Sequence, residues 1–191
     1  ALVNTLCVDT DGNGGPDADA DLDNDGEVDV SEAMEVTNLI VSNNEISNLE
    51  GIGNFINLEI FFCSNNQLKV LNIEGLTKLV ALICDQNQLI SLDAREFSNL
   101  STLICNENQL TNLDVRGLSN LFTLHCSNNQ LTNLQVLGLS NLESLICNKN
   151  KLDFLDIQGL SNLSNLDCST NQLTNLQVLG LSNLESLICN K

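Results

Sequence analysis

Leucine recurs along the chain at a fixed spacing from residue 58 onward, and other residue types keep the same step. Each unit opens with one Leu, and in every unit from Leu79 onward a second Leu follows three residues later, as at Leu100 and Leu103. Cysteines follow at a constant step of 21 residues, at positions 63, 84, 105, 126, 147, 168 and 189. Asparagines keep that step at 66, 87, 108, 129, 150 and 171. A fixed period of this length is typical of a solenoid, whose coils bury their apolar residues against neighbouring coils.

One unit, residues 100–120, reads LSTLICNENQLTNLDVRGLSN. Alternation around Leu103 and Cys105 predicts a strand with these two side chains inward and Ile104 and Asn106 outward. A second alternation at Leu113 and Val115 predicts a short extended segment on the other side of the coil. Each unit therefore contributes one strand to a parallel sheet, with neighbouring strands ~4.8 Å apart.

The pattern L-x-x-L-x-C-x-x-N-x-L-x-x-L-x-V-x-G-L resembles the leucine-rich repeat of internalin-type and related bacterial surface proteins, with Cys replacing a third strand Leu. The resemblance covers roughly residues 36–191. It implies a right-handed leucine-rich repeat solenoid with a concave parallel sheet of about eight strands and short strands or 3₁₀ turns on the convex side. It also implies a secreted or cell-surface protein that binds a protein or glycan ligand on the concave sheet.

The repeat divides the chain into two parts. Residues 1–35 form an acidic segment that we expect to bind calcium and cap the solenoid, and residues 36–191 form the solenoid. Within it we expect a degenerate coil over 36–57, with Val41 in the cysteine position, six full repeats over 58–183 and a truncated repeat over 184–191. Residues 129–149 and 171–191 are identical. Because the second copy stops within a unit, we expect the natural protein to continue beyond Lys191.

The two polar rows receive different interpretations. An Asn side chain both donates and accepts, so each Asn is expected to satisfy backbone groups where the chain turns out of the strand. The Cys row lacks the C-x-x-C pairs of zinc sites. Its side chains would also lie parallel, which is poor geometry for a disulfide. A reduced, buried thiol row is predicted. Cys7 lies outside this series and its role stays open.

The net charge of the chain limits which classes of partner are expected to bind it. The formal net charge is −18, and residues 1–35 hold eleven acids with no Lys or Arg. Such a chain repels phosphate backbones, so nucleic acid is not expected as a partner. No apolar run approaches the ~20 residues of a membrane-spanning helix, so direct membrane insertion is not expected either.

The stretch DLDNDGEVDVSE, residues 21–32, resembles an EF-hand calcium loop. The expected Ca²⁺ ligands are Asp21, Asp23, Asp25, the backbone carbonyl of Glu27, Asp29 and Glu32, and Gly26 would make the sharp turn. Ser31 is expected to cap a short helix that runs to about Val36.

A second candidate loop lies just upstream and resembles the tandem loops of thrombospondin type 3 repeats or dockerins. It lacks a closing Glu, and Pro16 stands where such loops hold an apolar residue. Whether a second ion binds there is left open. Its candidate ligands are Asp9, Asp11, Asn13 and Asp17.

A binding face is predicted on the sheet, because an exposed apolar stripe often marks a binding site. The other explanation of the stripe is that β-branched residues simply suit strands. The sequence favours a non-catalytic recognition or adhesion module, a monomer in its full-length form. An ice- or polymer-binding surface is the alternative, although Lys69, Ile90 and Asp153 interrupt the row of Thr111, Thr132 and Thr174. No catalytic constellation emerges, so the protein is not expected to be an enzyme. The candidate ligand-binding residues are Phe62, Ile83, Ile104, His125, Ile146, Asp167 and Ile188.

Overall fold

The computed structural model describes residues 7–10, 15–16 and 18–190, so Asp11, Asn13, Asp17 and Lys191 lie outside the described residues. Over the described part the chain is almost entirely short strands and turns, with one helix of six residues. No helix there is long and apolar enough to cross a membrane. The elements are α1 (Val30–Glu35), β1 (Asn38–Ile40), a 3₁₀ turn (Ile52–Asn54), β2 (Ile60–Phe62), β3 (Ala81–Ile83), β4 (Ser91–Asp93), β5 (Thr102–Ile104), β6 (Asn112–Asp114), β7 (Thr123–His125), β8 (Ser144–Ile146), β9 (Asn165–Asp167) and β10 (Ser186–Ile188).

Eight of these strands form one parallel sheet in the order β1-β2-β3-β5-β7-β8-β9-β10. The register follows the repeat, because Leu82 pairs with Leu103, Leu103 with Leu124, and Leu124 with Leu145. The fold is a leucine-rich repeat solenoid of about seven turns, and the prediction of about eight parallel strands is confirmed.

The opposite side of the solenoid is built from turns and extended segments, two of which pair. β4 and β6 form a two-stranded parallel sheet, and Leu92 and Leu113 at their centres are buried. Both strands end in an Asp-x-Arg sequence. Arg95 contacts Asp93 at 2.6 Å and Asp114 at 3.3 Å, and Arg116 contacts Asp114 at 2.6 Å. The short strands and the 3₁₀ turn agree with the prediction for this side.

The interior is one continuous apolar cluster that runs from Cys7 to Leu181. Six cysteines of the repeat, 63 to 168, are free, buried thiols, whereas Cys189 is exposed. Burial raises the pKa of Cys84 and of Cys126 to about 12, so these thiols stay protonated. The predicted reduced thiol row is confirmed for these six positions.

The side chains of the asparagine row form hydrogen bonds between each coil and the coil before it. The side-chain amide of Asn108 donates to the carbonyl oxygens of Cys84, Cys105 and Asn106 at 3.0, 3.3 and 3.1 Å. Its Oδ1 accepts the backbone N–H of Leu89 at 2.9 Å. Asn87, Asn129, Asn150 and Asn171 repeat these contacts. The amide row satisfies backbone groups in two coils at once, as predicted from the donor and acceptor capacity of Asn.

The segment before the first coil packs against the edge of β1. Val8 forms antiparallel bridges with Ala18 and with Leu39, and the N–H of Ile40 donates to the carbonyl of Cys7 at 2.6 Å. Cys7 is fully buried, and this burial raises its pKa to about 11. Residues 7–9 therefore cover backbone groups that would otherwise form an open sheet edge.

The cap of α1 differs from the prediction. Asp29 is the N-cap: its carboxylate accepts the N–H of Glu32, while the Glu32 carboxylate accepts the N–H of Asp29. This reciprocal pair is a capping box. Ser31 is the second residue of the helix, and its hydroxyl donates to Asp29 at 2.7 Å. The predicted Ser31 cap was wrong because a capping box competes better for the first free N–H groups than a single hydroxyl.

Candidate functional site

The predicted ligand-binding residues lie in one row across the sheet. Each occupies the last position of its strand, and strand pairing places Phe62 beside Ile83, Ile104 beside His125, and Ile146 beside Asp167. Six are partly exposed, and Ile188 is 47% exposed. The structure therefore brings all seven together as a continuous stripe on the outward face.

The stripe is one strand longer than the sequence analysis recognised. Ile40 pairs with Phe62 and is partly exposed. Its position directly before Val41, which replaces the repeat cysteine, is the signal in the sequence. Because the first coil is degenerate, that signal was overlooked.

A second outward row lies beside the stripe, at the first position of each strand, and sequence reasoning missed it. Over β2 and β3 the row is apolar, with Ile60 and Ala81, and from β5 onward it is polar. Exposed apolar surface is thus concentrated over β1 to β5, and the face becomes more polar toward β9. The members of the row are Asn38, Ile60, Ala81, Thr102, Thr123, Ser144, Asn165 and Ser186.

His125 forms the one contact on this face between an imidazole and a hydroxyl. Its Nε2 lies 3.1 Å from the Ser144 hydroxyl oxygen, which also accepts the Asn165 amide at 3.4 Å. Burial lowers the pKa of His125, so the ring is neutral at neutral pH. The sequence analysis found no nucleophile–base pair. This pair was missed because strand pairing alone brings together residues 19 apart.

The Ser144–His125 pair lacks the other parts of a hydrolytic site. In the described part of the chain no carboxylate contacts His125 to orient the imidazole. The N–H groups of Ser144 and Asn165 donate to carbonyls of the neighbouring strands. They are therefore not available to stabilise an oxyanion. The contact holds the imidazole ring of His125 against the Ser144 hydroxyl on the outward face.

A third row, after each cysteine, is polar and bonded from coil to coil. Ser64 donates to Asp85 at 2.6 Å, and Ser127 donates to Asn106 at 2.8 Å. Ser169 instead donates to Asp167 of its own strand at 2.6 Å. As a result the Oδ1 atom of Asn148 is buried without a hydrogen-bond partner among the described residues.

The acidic loop before α1 brings three of its predicted ligands together. Carboxylate oxygens of Asp21, Asp23 and Asp25 lie within 4.8 Å of one another. The N–H groups of Asp25 and Gly26 donate to Asp21, which is buried, at 3.1 and 3.0 Å. The N–H of Asp25 also donates to Asp23 and lowers its pKa. Desolvation and the charges of Asp25, Glu32 and Asp21 outweigh that bond, so the pKa of Asp23 is raised.

Asp29 and Glu32 stand outside this group of three because both carboxylates bind backbone. Glu32 is buried and accepts the N–H of Asp23 at 3.0 Å as well as that of Asp29. The N–H of Glu32 and the hydroxyl of Ser31 lower the pKa of Asp29. Of the four candidate ligands in the upstream loop only Asp9 is described, and its backbone pairs with Asn38 of β1.

Comparison with known proteins gives structural neighbours. No protein-family model matches the chain, and no curated protein matches it. The functional domain of InlJ from Listeria monocytogenes, described as including a cysteine ladder, is similar with a TM-score of 0.83 and 33% identity over 85% of this chain. A leucine-rich repeat protein of Leptospira interrogans is similar with a TM-score of 0.75 and 30% identity, and the match covers 84% of this chain and 45% of that protein's chain. Internalin C2 of Listeria monocytogenes is similar with a TM-score of 0.59 and 27% identity, and the match covers 84% of each chain.

The structural neighbours are leucine-rich repeat proteins that include internalins, and one of them is described as containing a cysteine ladder. The chain spans 36% of the InlJ chain that it matches.

Proposed function

We propose that the protein is a non-catalytic recognition or adhesion module that binds a protein or glycan ligand on the outward face of its eight-stranded sheet. One observation carries the proposal: apolar side chains form an unbroken, partly exposed row from Ile40 through Ile104. The core cluster is filled by the inward residues, chiefly Leu and Cys, and this row lies outside it. Exposed apolar surface of this kind marks interaction sites.

The structural neighbours support an interaction module, because they include internalins and a further leucine-rich repeat protein. By similarity to them we propose a secreted or cell-surface protein. We propose separately that its full-length form is a monomer, which the comparisons do not address. No observation favours the ice- or polymer-binding alternative. Thr111 donates its hydroxyl to Ile90 of the preceding coil at 3.4 Å, and the residues at that position vary from coil to coil.

The binding proposal is tested by selecting peptides from a displayed random library on the native protein. Each selected peptide is then measured against two variants. Ile83→Asp with Ile104→Asp places charge within the stripe, whereas Ile90→Asp with Leu137→Asp changes apolar residues that are 55% and 64% exposed on the opposite side. We expect the stripe variant to lose binding and the matched variant to retain it. A glycan array read with the same variants tests glycan ligands. Ligands that bind both variants equally would place the site elsewhere.

We further propose that the acidic loop binds Ca²⁺ and thereby stabilises the N-terminal cap. The donor set is all oxygen, which suits a hard cation. Asp21, Asp23 and Asp25 already converge, and Glu32 lies on the first turn of α1 next to them. Asp29 and the carbonyl of Glu27 are the remaining proposed ligands. For the second site, with Asp9, Asp11, Asn13 and Asp17, the described residues add no support.

Calorimetric titration with CaCl₂ and thermal unfolding with and without chelator test this site. A ligand present at 100 times its Kd stabilises the folded state by about 2.7 kcal/mol. We expect Ca²⁺ to raise Tm by several degrees and Asp23→Asn with Asp25→Asn to remove the rise. Glu45→Gln with Glu50→Gln removes the same charge outside the loop and is the control. A rise that survives the loop substitutions would show that the ion binds elsewhere.

A further inference from the structure

Charge is distributed unevenly around the coils over residues 58–190, all of which the structure describes. We define the sheet side as the residue before each strand through the second residue after each cysteine, and the outer side as the remainder. In numbers the sheet side is 59–65, 80–86, 101–107, 122–128, 143–149, 164–170 and 185–190.

The sheet side holds six acids and one base, and the outer side holds six acids and five bases. The sheet side therefore has a net charge of −5 and the outer side a net charge of −1. The sheet-side charges are Glu59, Asp85, Glu107, Glu143, Asp167, Glu185 and Lys149. The outer-side charges are Glu74, Asp93, Glu96, Asp114, Asp153, Asp156, Lys69, Lys78, Arg95, Arg116 and Lys151.

The two sides also differ in whether their acids form salt bridges. All three salt bridges of residues 58–190 join Arg95 or Arg116 to aspartates on the outer side. On the sheet side no described Lys or Arg contacts Asp85 or Asp167: Asp85 accepts the hydroxyl of Ser64, and Asp167 accepts the hydroxyl and the backbone N–H of Ser169. Uncompensated charges of one sign on one face produce a potential that attracts the opposite charge.

The acids border the apolar stripe on both flanks. Glu59 and Glu143 precede β2 and β8, on one flank, while Asp85 and Glu107 follow the cysteines on the other. An apolar centre with a polar rim is the usual composition of a protein–protein interface, and here the polar rim is acidic. A rim of this kind selects its partner by charge complementarity.

We propose that the partner is a protein whose contact surface carries an apolar centre ringed by Lys and Arg. The inference rests on the proposed function, since it assumes that the stripe is the binding face. A polyanionic partner would be repelled by the sheet side. A neutral glycan could donate hydroxyl hydrogen bonds to the acids but carries no positive charge to complement theirs. The structure thus favours a basic protein surface over a glycan.

The experiment uses the same displayed peptide library and two charge-matched triple variants. Glu59→Gln, Asp85→Asn and Glu143→Gln remove three charges from the sheet side. Glu74→Gln, Glu96→Gln and Asp153→Asn remove three charges from the outer side, where none of the three forms a salt bridge. Because the changes in net charge are equal, general attraction to an acidic protein affects both variants alike.

We expect the selected peptides to combine apolar residues with Lys or Arg, and the sheet-side variant to lower their affinity at least about tenfold while the outer-side variant leaves it nearly unchanged. Raising the salt concentration should weaken binding to the native protein more than to the sheet-side variant. Equal losses in both variants would overturn the inference, and so would selected peptides that are neutral or acidic. If such peptides still require Ile83 and Ile104, the binding face stands and only its charge preference is wrong.

Discussion

Residues 129–149 and 171–191 have the same sequence but different surroundings. In the first copy Leu145 is fully buried, and Cys147 is buried beside it. In the second copy Leu187 is 41% exposed, and Cys189 is exposed. Residues 150–170 form a coil that packs on the C-terminal side of the first copy, whereas no described residue packs on that side of the second. The environment of each residue is therefore set by its neighbouring coils more than by its own sequence.

A repeat can be duplicated without changes in its sequence because each coil contacts only its neighbouring coils. A coil supplies half of each contact and its neighbour supplies the other half, as expected for a quasi-one-dimensional array. Identical substitutions at equivalent positions of the two copies therefore measure what a neighbouring coil contributes.

The largest difference is expected for the inward strand leucine. Leu145→Ala removes a fully buried side chain and should lower the free energy of unfolding by about 2–5 kcal/mol. Leu187→Ala changes a side chain that water already reaches, so we expect less than about 1 kcal/mol. Urea denaturation measures both variants. Equal losses would mean that the second copy is as enclosed as the first.

The next difference concerns the asparagine row. Asn129 and Asn171 make equivalent bonds, for example to the carbonyls of Cys105 and Cys147 at 3.0 Å in each case, but Asn129 is buried and Asn171 is partly exposed. Asn129→Leu should cost about 1–3 kcal/mol, since backbone groups are left unsatisfied away from water. Asn171→Leu should cost less because water replaces the lost bonds. The account is contradicted if both substitutions leave thermal unfolding unchanged.

A smaller effect is expected where the backbone turns after the strand. Asn128 and Thr170 occupy the same position in two coils, with φ of 54° and 53°. Asn tolerates this left-handed conformation, whereas a β-branched residue does not. Thr170→Asn should raise the free energy of unfolding by about 1 kcal/mol, and Asn128→Thr should lower it similarly. Both are measurable by urea denaturation, and opposite signs in the two coils are the required result.

The smallest effect distinguishes the coils that carry β4 and β6 from the rest. The side-chain hydrogen bond from Arg95 lowers the pKa of Asp93 to about 2, and Arg116 lowers the pKa of Asp114. A carboxylate whose pKa is lowered on folding stabilises the folded state at pH values above its unfolded pKa of about 4. This contribution to stability is lost as the pH falls toward 2.

Because the side chains of Arg95 and Arg116 are more than half exposed, Asp114→Asn should cost only about 0.5 kcal/mol at neutral pH. It should also flatten the loss of stability between pH 4 and pH 2. Asp156→Asn is the matched control, since Asp156 accepts the N–H of Gln158 at 3.0 Å but has no arginine partner. The ion pairs would have no role in stability if Asp114→Asn matched the control at both pH values.

Periodicity predicted most of the fold because the same positions of every coil are buried against the neighbouring coils. The inward Leu103 and Cys105, the amide row and the outward stripe all follow from alternation within one unit. Contacts that depend on differences between coils were not predictable, such as Ser144 with His125 or Arg95 with Asp114. The Ser31 cap was wrong for a different reason, since the capping box of Asp29 and Glu32 is itself a local pattern, which was overlooked.

Labelling of cysteines in the native protein tests the stacking of coils most directly. Trypsin separates residues 117–149, which contain Cys126 and Cys147, from residues 152–191, which contain Cys168 and Cys189. After brief treatment with a water-soluble alkylating reagent, we expect one label on 152–191, at Cys189, and none on 117–149. Complete labelling of both peptides should follow unfolding in denaturant. Native labelling of Cys147 at the rate of Cys189, within the same local sequence, would contradict the account.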